Sequence, residues 1–429
     1  MSHRARSTPA RAEPRPRYAA AMPKPPRAKL PTVVWAAAWV SFCADASTEL
    51  IYGILPALYL GTLSIGVLGL GLIEGFAESL VSLTKLYSGS LSDRSGKRKP
   101  WMLAGYGLAA ISKPLLAFTT SGLAVGALRA SDRFGKGLRG APRDALIADS
   151  IDPHVRGRAF GVQRGMDHAG ALVGGLVAAG LLALNAVTTN QLFLLSAVPG
   201  FAAVLVIVFF IRERPPGPDH KPRAPFGLRA AWRDSTPALR RYLGASGLFA
   251  LANSSDMLLL GICYERFLAS GMEQHLAISR LPLLWALLHV VKSLGAPFAG
   301  TLSDRVGRVP LLATSWVIYA AVYAGTAAFA LGGHPAWSIA IFAAYAMVAV
   351  LMEGPERALI ADLQPDGAKR GGAYGMLHFV KGILALPATV IAALLWHELG
   401  PAWAFGAGAA LALAAAFVLL IVSRPPAEA

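Results

Sequence analysis

Cysteine is almost missing from this chain. Its two copies, Cys43 and Cys263, both lie inside apolar runs, which excludes a disulfide framework and a Cys-x-x-Cys metal knuckle. Charge is scarce too, at 15% of residues, where a soluble globular protein carries about a quarter. Acidic residues are the scarcer sign, with 24 Asp and Glu against 40 Lys and Arg. No Gly-x-x-x-x-Gly-Lys-Ser/Thr sequence occurs, which removes an ATP-driven pump with its own P-loop. Neither a Met-x-x-x-Met nor a Cys/His cluster accompanies Met257 and Cys263, so no metal is expected; no cofactor and no catalytic residue is expected either. No apolar segment precedes Thr32, so a cleaved signal peptide is not expected. Residues 1–31 hold eight Lys or Arg against the single Glu13 and read as a disordered basic tail. An organellar transit peptide, also rich in Arg and poor in acid, is the alternative reading of that tail.

What fills the chain is apolar sequence. Hydrophobic residues make up 55%, and 44 glycines fit helices packed closely within a bilayer better than they fit a soluble core. From Val33 onward, stretches long enough to cross a hydrocarbon layer of about 30 Å alternate with short polar breaks. Twelve helical spans are expected, over 33–60, 65–88, 101–120, 122–145, 157–183, 188–211, 242–264, 277–300, 310–332, 336–356, 371–396 and 401–422. The longest break, 213–240, is rich in Arg and Pro and reads as a cytoplasmic linker between a bundle over 32–212 and another over 241–423, with a short C-tail over 424–429. Of the 40 Lys and Arg, 30 lie in the tails, the linker and the loops on the linker's side, whereas the opposite loops hold only Arg266 and Arg280. Such an asymmetry places both termini and the linker in the cytoplasm. The formal charge of +16 is therefore mainly topology, and nucleic-acid binding is not expected.

The two halves repeat one another. Gly89-Ser-Leu-Ser-Asp-Arg-Ser-Gly-Lys-Arg-Lys99 shares the frame Leu-Ser-Asp-Arg-x-Gly with Gly300-Thr-Leu-Ser-Asp-Arg-Val-Gly-Arg308, with Leu91 and Leu302 standing 211 positions apart. A second echo sets Pro142-Arg-Asp-Ala-Leu-Ile-Ala-Asp149 on Pro355-Glu-Arg-Ala-Leu-Ile-Ala-Asp362, 213 positions on. Duplication with apolar runs in each half describes an all-helical polytopic membrane protein.

Apart from residues at span ends that belong to the loop segments, seventeen charges fall within the expected spans: Lys85, Lys113, Arg129, Arg133, Lys136, Arg164, Lys292, Lys381, Asp45, Glu49, Glu74, Glu78, Asp132, Asp167, Asp256, Glu353 and Glu356. Each costs about 2.5–3.5 kcal/mol or more near a bilayer centre, so they should face a wet cavity. Asp45 and Glu49, then Glu74 and Glu78, stand one helical turn apart, and Arg129, Arg133 and Lys136 form a stripe on the fourth helix. The plainer reading is that opposite charges staple helices together. Counting about 1.5 Å per residue brings Arg133, Arg164 and Lys381 to similar depth. Arginine's planar fork suits carboxylate or phosphate, so Arg129, Arg133, Lys136, Arg164, Lys292, His378 and Lys381 are the candidate contacts for an anion-bearing solute. Proton coupling is expected at Asp45, Glu49 or Asp256, the last having no basic residue within two turns of its helix. In the repeated turns, Gly96 and Gly307 permit a tight bend and Asp93 and Asp304 can accept hydrogen bonds from neighbouring helix amides. With Gly89, Arg94 and Arg305 they make a candidate conformational latch, where the alternative is a plain hairpin held by its positive charge.

The run Gly89-x-Leu91-x-Asp93-Arg94-x-Gly96-Lys97-Arg98 resembles the loop signature between helices two and three of the major facilitator superfamily, with a second copy over Gly300–Arg308. Arg133 followed by Gly137 resembles that family's fourth-helix motif, and Ala145 to Asp149 with Arg156-Gly-Arg158 resembles its passage into helix five. The resemblance spans Val33 to Ser423 and implies two six-helix bundles, a central cavity and alternating access. Two departures stand out. The antiporter motif of helix five reads Gly170-Ala-Leu-Val-Gly-Gly175, with Ala171 where proline is expected, so the proline-dependent kink is lost and export is suggested only. The charged run Asp132-Arg-Phe-Gly-Lys-Gly-Leu-Arg139 marks a distinctive subgroup.

Gly135-Lys-Gly-Leu-Arg-Gly140 fits a dinucleotide-binding pattern but follows a membrane span and no strand, which removes that reading. His289-x-x-Lys292 and His378-x-x-Lys381 each put a His and a Lys on one helix face, to bind an anion, relay protons or simply pack. The expectation is a monomeric secondary transporter of a bacterial inner membrane, moving a small polar or amphiphilic solute, with protons as coupling ion and efflux favoured. A lipid or glycolipid flippase on the same fold is the nearest rival, and a membrane-embedded transferase the more distant one. Matched turns in both halves favour transport, since a catalytic site has no need of them.

Overall fold

A computed structural model of the chain describes residues 29–152, 156–213, 227–366 and 369–423. The basic tail up to residue 28, the linker over 214–226 and the C-tail over 424–429 lie outside the described residues. Among the described residues every regular element is helical. Twelve long helices follow in order: α1 Thr32–Tyr52, α2 Gly66–Ser95, α3 Lys99–Leu115, α4 Gly122–Asp149, α5 Arg156–Ala183, α6 Thr189–Phe210, α7 Pro237–Ala269, α8 Gln274–Val306, α9 Arg308–Ala330, α10 Trp337–Leu363, α11 Arg370–Leu399 and α12 Pro401–Val422. Ten are long and apolar enough to cross a membrane; α1 and α4, which carry Asp45 and Glu49 and the Arg129 stripe, are the two outside that set. The chain is thus a multi-pass membrane protein.

Local chemistry sets the helix ends. Prolines open α3, α7 and α12 in the first turn, where a missing N–H costs nothing. Ser121 and Thr236 side chains accept backbone N–H groups at the starts of α4 and α7, and Thr188 with Gln191 closes a reciprocal cap on α6. Gly96, at φ 62°, stops α2 in the left-handed conformation that favours glycine. The repeated motif is therefore mostly helix: Gly89 to Arg94 continue α2, and only Gly96 to Arg98 make the turn. Helices α2 and α8 outrun the apolar spans of the sequence because these caps, not hydropathy, end them.

α1 packs on α5 and α6, α2 and α3 pack on α4, and α3 also meets α6. In the second half α9 packs on α10 and α12, α7 on α11 and α12, and α8 on α10. Across the middle, α2 meets α11 and α5 meets α8, two contacts related by the repeat. The closeness relies on small residues. A Cβ on Gly170 or Gly174 of α5 would stand 2.2 and 2.4 Å from the Phe42 and Ala46 carbonyl oxygens of α1. The motif glycines thus let α5 lie backbone to backbone on α1.

α7 does not run through. It stops at Ala252 and restarts at Asp256, with Asn253, Ser254 and Ser255 in non-helical conformations between. Broken backbone inside a bilayer is tolerated only where partners satisfy it or a cavity receives it. Both hold here. Tyr319 donates its hydroxyl to the Ala252 carbonyl at 3.0 Å, Ser254 and Tyr323 share a hydrogen bond at 3.1 Å, and Ser255 N–H donates to Thr389 Oγ1 at 3.1 Å.

Candidate functional site

A cavity of about 380 Å³ lies where the two halves meet. Its first-half wall comes from α1 (Thr48, Glu49, Tyr52), α2 (Glu78, Ser82) and α4 (Arg133, Lys136). The second-half wall is the α7 break (Asn253, Ser254, Ser255, Asp256), α8 (Trp285, His289) and α11 (Lys381, Ala385, Thr389). Both walls are polar and charged, which is not the half-charged, half-apolar cavity expected of a lipid flippase.

Five of the residues expected to bind solute or carry protons line this space, Arg133, Lys136, Lys381, Glu49 and Asp256, together with Glu78 and His289. Arg133 is 2% exposed, its Nε lies 3.8 Å from Glu78 Oε1 without a hydrogen bond, and its guanidinium stands over the Tyr52 ring at 5.4 Å. Lys136 is exposed to the cavity and makes no hydrogen bond or ion pair among the described residues. Lys381 Nζ is 2.6 Å from Glu356 Oε2, and Tyr242 donates to the other oxygen of that carboxylate at 2.8 Å. Glu49 Oε1 lies 3.9 Å from His289 Nε2. Asp256 Oδ1 accepts the Tyr345 hydroxyl and Asp256 makes no ion pair among the described residues.

The other candidates stand elsewhere. Arg129 is buried behind the wall, with Nε and Nη2 each 2.8 Å from a different oxygen of Glu74, and Tyr59 donates to the same carboxylate at 2.7 Å. Asp132 completes the cluster at 3.3 Å, so Arg129 presents no free fork to a solute. Arg164 on α5 is half-exposed and pairs with Asp167 at 3.5 Å; Lys292 on α8 pairs with Glu353 at 2.6 Å. His378 is exposed on α11. Asp45 is half-buried on α1 and is not among the residues lining the cavity. His168 and His289 face each other across the meeting of the halves, with ring centres 5.9 Å apart.

The repeated turns form ion pairs of similar plan. Arg98 reaches Asp93 at 2.5 Å and Asp149, the last residue of α4, at 3.5 Å. Arg308 pairs with Asp362 near the end of α10 and donates to the Ala358 carbonyl at 2.7 Å. The amides that open α3 go to Glu213, which accepts from Arg98 N–H and Lys99 N–H, so this residue takes the capping part expected of Asp93. Arg94, Asp304 and Arg305 are exposed. Gly89 packs near Ala141 of α4, and Gly307 holds φ 90°.

Sequence reading missed Asn253, Tyr345, Trp285 and Glu213. A helix break gives no signal in hydropathy, and an aromatic residue in an apolar run reads as packing. The run Asn253-Ser-Ser-Asp256 inside an expected span was the available clue.

Comparison with known proteins agrees with this architecture. The family model of the Major Facilitator Superfamily matches residues 37–352 and 267–429. The chain is 31% identical to an MFS-type transporter of Methanocaldococcus jannaschii over 91% of its own length and 94% of that protein's. It is 27% identical, over 32% of its length and 33% of the other's, to the multidrug resistance protein MdtH of Edwardsiella ictaluri. Among solved structures, a POT family transporter in complex with 5-aminolevulinic acid superposes with a TM-score of 0.74 at 12% identity, covering 92% of this chain and 97% of that one. The nucleoside transporter NupG superposes with a TM-score of 0.71 at 12% identity, over 91% and 100%. The chain belongs to the Major Facilitator Superfamily, a family of transporters and not of enzymes.

Proposed function

We propose that the protein is a secondary active transporter of a small, polar, anion-bearing solute, carried across the bacterial cytoplasmic membrane by alternating access. The observation that carries this reading is the pair Arg133 and Lys136 on one helix face of the cavity, one held at 3.8 Å by Glu78 and the other without an ion pair among the described residues. In a membrane interior, cations left so weakly matched are places for a ligand's negative charge. The halves over 32–212 and 241–423 are the moving bodies. Their contacts run from Gly61 against Tyr264 to Ser82 against Gly382, while Arg164, Ser293, Leu294 and His378 are exposed nearer the α2–α3 turn. The excess of Lys and Arg in the tails and linker supports cytoplasmic termini. Efflux is supported by the glycine run of α5 and by multidrug resistance proteins among the relatives. A cavity complete within one chain supports a working monomer.

Protons are the coupling ion in this reading, and Glu49 is their carrier. It faces His289 across the meeting of the halves, so its charge bears on how the halves close. Purified protein screened by ligand thermal shift against organic anions, sugars, drugs, siderophores and lipids identifies the ligand. Arg133→Gln and Lys136→Gln should each weaken an anionic ligand while the protein still folds. A neutral or cationic ligand that neither change affects would remove the anion assignment. Glu49→Gln should abolish transport driven by a pH gradient yet leave solute exchange running, and unchanged gradient dependence excludes Glu49.

A further inference from the structure

Charged groups inside a bilayer are expensive unless matched. Around this cavity Glu78 has Arg133 at 3.8 Å and Lys381 has Glu356 at 2.6 Å, whereas Glu49 has only the imidazole of His289, 3.9 Å away and without a hydrogen bond. Two further cavity-lining charges, of opposite sign, have no ion pair among the described residues: Lys136 on α4 and Asp256 at the break in α7. They belong to opposite halves of the molecule.

Asp256 is presented deliberately. Interrupting α7 forfeits helical hydrogen bonds; the hydroxyls of Tyr319 on α9 and Thr389 on α11 take up the Ala252 carbonyl and the Ser255 amide, and Tyr323 bonds the Ser254 side chain. Tyr345 fixes one carboxylate oxygen of Asp256 from α10. A carboxylate held by a neutral hydroxyl, with no ion pair among the described residues, is a place for a ligand's cation. Asn253, exposed in the same break, adds an amide oxygen able to accept from an ammonium group.

We propose that the substrate is zwitterionic, its carboxylate or phosphate held by Lys136 with Arg133 and its ammonium held by Asp256 with Asn253, so that the solute joins the two halves by its own two charges. This rests on the anion-binding reading above and extends it. The cavity of about 380 Å³ restricts the class to small solutes such as amino acids and short amino acid conjugates. A ligand that completes an ion pair with each half favours the state in which the halves close on it, which a solute carrying one charge cannot do.

The test uses full-length protein in detergent and linear ω-amino acids from glycine to 8-aminooctanoate, each also as its N-acetyl and its carboxamide form. Binding is read by thermal shift and isothermal calorimetry. The series measures the separation of the two charges, and affinity should peak at one chain length. At that length each cap should weaken binding about tenfold or more. Asp256→Asn should lower the zwitterion to the affinity of its N-acetyl form and leave that form unchanged; Lys136→Gln should do the same with respect to the carboxamide. An N-acetyl form that binds as well as the free acid overturns the proposal and leaves the anion reading standing. A carboxamide that binds as well overturns both. A K136Q/D256N double variant that recovers the binding lost in the single variants means that the two residues pair with each other in another state, which also overturns the proposal. So does a series in which no free amino acid shifts the wild-type protein.

Discussion

The two halves share a fold and differ in what fills it. With Pro142 set on Pro355, Arg129, Asp132, Arg133 and Lys136 of α4 coincide with Phe342, Tyr345, Ala346 and Ala349 of α10. The first half is held inside by ions: Arg129 with Glu74, Lys113 donating to Thr48 at 3.2 Å, and Arg139 stacked 4.2 Å over Tyr106. The second is held by rings. Phe249 stacks on Trp316 at 4.6 Å, Tyr319 on Tyr323 at 4.2 Å, and Tyr323 meets Phe405 edge-on at 5.3 Å. Helix geometry and turn chemistry are what the duplication retains, and cavity chemistry is what it leaves open. Even the acids diverge. The 211-residue offset of the turns sets Asp45 on Asp256, one inside an unbroken helix and the other at the edge of a break.

The comparison is broken most severely by Arg129→Met, which strands Glu74 in a fully buried site and should cost about 3–5 kcal/mol of stability. Phe342→Leu at the matching place should cost about 1 kcal/mol. Urea unfolding of the two variants in the same detergent makes the comparison, and an R129M/E74M double variant should recover much of the first loss. A smaller effect is expected from Tyr345→Phe, which removes the hydroxyl on Asp256, at about 1.5–3 kcal/mol by the same measurement. A loss within error would mean that the hydroxyl does not support the break.

The turns sharpen the comparison further. Asp93→Asn should slow turnover about tenfold, or about 1.4 kcal/mol, with little change in solute affinity. Asp304→Asn, at an exposed position, should slow it less. Transport and binding measured on one preparation decide this, and equal loss of both would point to misfolding. The two turn glycines differ as well. Gly96 at φ 62°, ψ 6° should accept Asn within a few tenths of a kcal/mol. Gly307 at φ 90°, ψ 152° should lose about 1–3 kcal/mol with any side chain.

Twelve spans were legible because a bilayer demands long apolar runs, and the second half's last span was read at 401–422, as the structure has it. The ends of α2 and α8 were not, since Ser-Asp-Arg sequences can be helix or loop until a positive-φ glycine ends them. The first span was expected to reach residue 60, but α1 ends at Tyr52 and the chain continues as a short turn over Leu55–Ala57 and a wider one over Leu58–Thr62. A two-turn helix, Leu228–Asp234, lies in what was read as plain linker. Of the candidate site, the charged residues were legible and their allegiances were not. Arg129 and Arg133 lie one turn apart on the same stripe, and only the position of Glu74 makes the first structural and leaves the second facing the cavity.

In the alternating-access reading proposed above, the seam between α2 and α11 is the fulcrum. Added methyls at Gly71 and Gly382 would stand 2.4 and 2.3 Å from the Ala393 and Ser82 side chains, so at both places the helices touch with nothing to spare. A lever is tuned at its pivot more finely than at its arms. A graded series at Gly382, from alanine to valine, would act as a shim of increasing thickness and set how far the far ends part. Spin labels on Arg94 and Arg370 would read that angle as a distance. The same seam would give an engineer a dial for the resting conformation that changes no charged residue.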